Sequence, residues 1–94
     1  MKVVVKIEPE DNALVESRYF EHAAGKDNIA FLMRDDQIKW STLQHYIDVV
    51  ETRYYMLEKT KEQISRKYCP EDFKDASYTY SFNFENESIV YELA

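Results

Sequence analysis

The stretch from Ser41 to Tyr68, STLQHYIDVVETRYYMLEKTKEQISRKY, decides how the rest of the chain is read. Leu43, Ile47, Val50, Tyr54, Leu57, Lys61, Ile64 and Tyr68 follow one another at alternating spacings of four and three, a heptad stripe interrupted only at Lys61. Asp48 and Glu51 lie early and Lys59, Lys61, Arg66 and Lys67 late, which suits the helix dipole in this direction. Ser41 and Gln44 have the spacing of a capping box, with Asp36 as a competing cap, and Cys69-Pro70 closes the segment. A helix over 41–68 would extend about 42 Å, whereas a compact chain of this length has a radius of gyration of about 12 Å. The helix is therefore expected to overhang its own globule.

Working back toward the N-terminus, Val3, Val5 and Ile7 share one face at period two, and Lys2, Val4 and Lys6 share the other. This reads as a strand with lysines suited to a sheet edge. Pro9, Glu10 and Asp11 mark a helix start, and a helix is expected from about Pro9 to Ala24, with Gly25 as its left-handed cap. Asp27 then begins a second, short helix through Met33, which Arg34-Asp35-Asp36 ends.

Beyond Pro70 the period changes to two. Tyr78, Tyr80, Phe82 and Phe84 alternate with Thr79, Ser81 and Asn83, giving a strand with one wholly aromatic face. Glu85-Asn86-Glu87-Ser88 turns the chain, and Ile89, Tyr91 and Leu93 form a second alternating face. The aromatic face of an isolated hairpin must be covered, and the helices are the available cover. The sequence thus predicts a single α+β domain over 1–94: a helical hairpin or three-helix layer with one long helix, packed on a small antiparallel sheet made of the N-terminal strand and a C-terminal β-hairpin.

Composition narrows the function classes. The 94 residues carry 18 acids against 12 bases, a net charge of −6, which disfavours duplex nucleic acid and anionic membranes as partners. A lone cysteine forms no intrachain disulfide, and Met1–Ile7 lacks the pattern of a signal peptide, so a cytoplasmic protein is expected. Only one glycine is present, so no glycine-rich phosphate loop is possible. A nucleophilic site would need Cys69 or a serine beside His22 or His45, and nothing in their spacing demands it. His45, Asp48 and Glu51 share a helical face, but without a second pair at ligand spacing they read as solvated polar surface. No catalytic residue, metal or cofactor is expected.

The aromatic strand has rings that stack on bases but lacks cations, since residues 69–94 hold one lysine against six acids. Residues 51–68, by contrast, carry a local charge of +2, so the domain is electrically polar. Tyr46, Val49, Arg53 and Met56 widen the apolar sector of the long helix beyond what one partner helix needs. Tyr46, Val50, Arg53, Tyr54, Leu57, Lys61 and Ile64 are therefore the candidate interaction residues, with a second copy or a protein or peptide partner covering the distal end. The sheet edges offer a second mode, capture of an extended peptide.

The order of features carries a resemblance. A strand-like start, Tyr19-Phe20 in the first helix, Asn28-Ile29 before an apolar turn, a long helix ending in Lys67-Tyr68, and closing strands with Asn83-Phe84 and Ile89-Val90-Tyr91-Glu92-Leu93 are similar to the CXXX repeat peptide modification system proteins. Those are small clostridial proteins encoded beside cysteine-rich precursor peptides and radical maturases. The resemblance implies a non-catalytic accessory role. The function expected is a self-associating protein or peptide interaction module, and the alternative is an acidic phage or mobile-element factor that binds and blocks a host protein.

Overall fold

A computed structural model describes residues 1–94. Strand β1 (Lys2–Lys6) leads into helix α1 (Pro9–Leu32), helix α2 (Trp40–Tyr68), one 3-10 turn (Glu71–Phe73), and strands β2 (Tyr78–Asn83) and β3 (Ser88–Leu93). The expected α+β fold is present, as a helical hairpin on a three-stranded antiparallel sheet in the order β1-β3-β2. The last strand lies in the middle.

The long helix forms as its heptad pattern predicts and runs unbroken for 29 residues. Its start differs from expectation. Lys39 takes the cap position without a side-chain bond, and the Gln44 amide donates to Asp48 at 2.9 Å, so neither the Ser41/Gln44 box nor an Asp36 cap forms. The first amides of α2 therefore have no capping side chain.

The first two predicted helices are one. α1 continues through Gly25 for 24 residues and stops at Met33, followed by Arg34, Asp35 and an Asp35 turn in which the carboxylate accepts the Gln37 N–H at 2.9 Å. The expected left-handed cap at Gly25 is replaced by a helical glycine pressed against α2. A Cβ there would stand 2.9 Å from Val50 Cγ2 and 3.3 Å from Arg53 Nη1, and Arg53 Nη1 donates to the Glu21 carbonyl at 3.1 Å. Close interhelical packing thus offsets the roughly 1 kcal/mol by which glycine weakens a helix.

The sheet follows the period-two reading. Val3, Val5 and Ile7 turn toward the helices, as do Tyr78, Tyr80, Phe82 and Phe84. They surround a small core of Ile7, Val15, Ile64, Phe73, Ile89 and Tyr91. The hairpin turn spans 84–87, one residue earlier than expected, because Asn83 pairs with Ser88 and Glu87 takes the left-handed conformation at φ 50°. Asn83 Oδ1 holds the turn by accepting the Asn86 N–H at 3.2 Å.

The core occupies one end only. The molecule measures 55 × 25 × 18 Å with a radius of gyration of 16.9 Å, well above the ~12 Å of a compact chain this long. Between Lys26 and Met56 no residue is buried. The helical hairpin projects.

Candidate protein-interaction surfaces

Two features at the base hold the projecting hairpin to the sheet. The Tyr91 hydroxyl donates to the Ser65 carbonyl at 2.5 Å, with both residues buried, and burial pushes the Tyr91 phenol well above the ordinary tyrosine range. On the opposite side Asp11 of α1 accepts from Lys67 Nζ at 2.8 Å and from the Tyr68 hydroxyl at 2.5 Å, and the Tyr68 oxygen accepts the Glu8 N–H at 3.0 Å. Lys67 first, then Tyr68, hold the Asp11 carboxyl below the usual carboxylate range, and the same bond raises the Lys67 ammonium. Burial first, then Asp11, raises the Tyr68 phenol. This clasp joins the first turn of α1 to the last turn of α2.

From that base the predicted interaction residues divide. Leu57 and Ile64 are buried inside the chain, where they serve mainly as packing residues. Val50 and Arg53 are half-buried at the contact with Gly25. Tyr54 is exposed with its ring 5.3 Å from His22, and Tyr46 is exposed farther out, its ring 5.6 Å from His45. Lys61 is half-buried and bonded to Glu58 at 3.1 Å. The seven therefore do not make one continuous exposed face, because Leu57 and Ile64 of the stripe are buried and Val50 packs on Gly25, whereas Tyr54 of the same stripe and Tyr46 beside it are exposed.

The two most exposed large apolar residues, Phe31 and Trp40, lie instead at the tip, around the loop between the helices, with Met33 beside them. Phe31, Met33 and Trp40 are 73%, 66% and 70% exposed. The run Phe31-Leu32-Met33, with Trp40 seven residues on, carried this signal in the sequence, where the run reads only as the apolar end of a short helix.

A second surface lies where the helices meet β2. Val15, Tyr19, Leu57, Lys61, Tyr80, Phe82 and Phe84 line an open crevice of about 240 Å³, with Ser81 at its margin. Tyr19 packs on Phe84 at 6.1 Å and Phe82 stacks on Phe84 at 6.2 Å. Lys61 is the one charged group in its wall. Lys61 belongs to the predicted interaction set, and the aromatic strand is expected to pack on the helices; its rings are half-buried, and three of them border the crevice.

The chemistry-bearing side chains stay apart. His22 is level with Tyr54, about 22 Å along α2 from Cys69, and His45 is about 36 Å from it. Cys69 lies at the end of α2, where it and burial raise the Tyr78 phenol. No three His, Cys, Asp or Glu side chains converge as metal ligands would, and Asp48 is engaged with Gln44. No helix is long and apolar enough to cross a membrane.

The fold and these surfaces define a small α+β domain with a projecting helical hairpin. Comparisons with protein-family models, with curated proteins and with solved structures return no match.

Proposed function

We propose that the protein is a non-catalytic interaction module that self-associates through the outer part of its helical hairpin. One observation carries this reading: some thirty consecutive residues, Lys26–Met56, form helix and loop without burying a single side chain, while Phe31, Met33, Trp40, Tyr46 and Tyr54 face solvent. A helix pair of this length gains little stability from its own packing, and a second hairpin laid against it would bury these rings. Net charge does not oppose such a contact locally, since Arg34, Asp35, Asp36 and Lys39 balance around the tip. An accessory role beside a peptide-modifying enzyme, as the resemblance implies, is compatible with a module of this kind.

Size-exclusion chromatography with light scattering tests the reading. At tens of micromolar the wild-type chain should give an oligomer mass, and Phe31→Glu with Trp40→Glu should give a monomer of unchanged helicity. A wild-type chain that stays monomeric throughout that range overturns it.

A further inference from the structure

The two edges of the sheet are built differently. The Ala94 N–H donates to the Ser77 carbonyl, so residues 77, 79, 81 and 83 face β3, and the alternation of an antiparallel ladder turns the N–H and C=O groups of Tyr78, Tyr80 and Phe82 outward. On the other edge Leu93 donates to the Met1 carbonyl and Ile7 to that of Glu87, which turns Lys2, Val4 and Lys6 outward. That edge carries two lysines, a common guard against strand pairing. The β2 edge carries no charge at all from Tyr78 to Phe84.

Beside this unguarded edge lies the crevice. Its walls come from α1 and α2 at Tyr19, Leu57 and Lys61, and its floor from Tyr80, Phe82 and Phe84. The geometry points to an extended polypeptide segment from a partner as its occupant, added to β2 as a fourth strand. Three residues offering outward N–H and C=O groups at alternate positions match the donor and acceptor spacing of another extended backbone. The segment has apolar or aromatic side chains at every second position, which fill the crevice, and a carboxylate within reach of Lys61, whose ammonium has two donors left after Glu58.

A second copy of the folded chain does not fit here in the same way. Antiparallel pairing of two β2 strands has its two-fold axis normal to the sheet, so both helical layers fall on one face. The hairpin already stands over this edge at Tyr19, Leu57 and Lys61, and the second copy's helices would meet it. A bare strand needs only about 4.8 Å beside β2.

The inference rests on the interaction-module reading and names a site and a partner class separate from the hairpin tip. An array of acetylated decapeptides tests it, with Val, Leu, Ile, Phe or Tyr at alternate positions and Thr, Ser, Lys or Glu between them. Members carrying Glu near one end should bind the full chain with Kd below about 100 μM. Binding should protect the amides of Tyr78, Tyr80 and Phe82 from hydrogen exchange, and N-methylation of alternate peptide nitrogens should weaken it about tenfold per lost bond. Tyr80→Pro, which removes an outward N–H at an edge, should abolish binding with the helical circular dichroism retained. The Phe31→Glu, Trp40→Glu chain should bind the same peptides unchanged, which separates this site from self-association. An array without a binder at that affinity, or binding on the hydrogen-bonding side that survives N-methylation, overturns the proposal whatever variant folds.

Discussion

The hydroxyl of Tyr91, on the central strand, donates a 2.5 Å hydrogen bond to the main-chain carbonyl of Ser65 in the last turn of α2, and both residues are essentially inaccessible to water. Carbonyls at a helix end run out of helical partners, so this bond satisfies a group that burial would otherwise leave at a loss. It also joins the sheet to α2, which runs from the core to the tip.

Tyr91→Phe should therefore lower stability by about 1–2 kcal/mol, read from denaturant midpoints, with no change in oligomeric mass. The pH dependence follows from sign. A phenol whose folded value is raised contributes stability that is complete below its unfolded value near pH 10 and is lost as pH rises toward the folded value. Wild type should thus unfold in alkali, and the alkaline limb of Tyr91→Phe should be shallower.

Gly25→Ala separates helix propensity from packing. In a free helix the change adds about 0.5–1 kcal/mol of stability. Here the new methyl meets the stiff, β-branched Val50, so a net loss of about 1 kcal/mol is expected, with recovery in the Gly25→Ala, Val50→Ala pair. Thermal melts of the four chains give the coupling directly.

The Asp11 clasp has an acid limit. A carboxyl with a lowered folded value stabilises above its unfolded value near pH 4, and that contribution disappears as pH falls through the folded value. Lys67 and Tyr68, both raised, lose theirs only above about pH 10. Asp11→Asn should lose a few degrees of Tm at pH 7, and its melting curve should converge on that of wild type near pH 2.

Glu87 holds a left-handed backbone at φ 50° in the β2–β3 turn, a conformation that costs a residue with a Cβ about 1 kcal/mol and that asparagine tolerates better. Glu87→Asn should raise Tm by a few degrees. An unchanged or lower Tm would show that the glutamate side chain supplies a compensating interaction.

Periodicity made much of this architecture legible from the residues alone. The four-three spacing from Leu43 to Tyr68 specified α2, and the alternation at Val3–Ile7, Tyr78–Phe84 and Ile89–Leu93 specified three strands and the faces they bury, because both patterns arise from backbone geometry within one segment. The length of α2 against the size of the chain implied an overhang for the same reason.

Tertiary contact decided the rest. Gly25 and Asp27 carry the local chemistry of a break, yet α1 runs through them, with Gly25 packed against Val50 and Arg53 of α2. No local pattern states that β3 lies between β1 and β2, and it is this order that leaves the uncharged edge of β2 unpaired beneath Tyr19 and Lys61. Local propensity acts over one turn or one pleat, whereas strand order and helix continuity depend on residues tens of positions apart, whose meeting is set by how the whole chain buries its few large side chains.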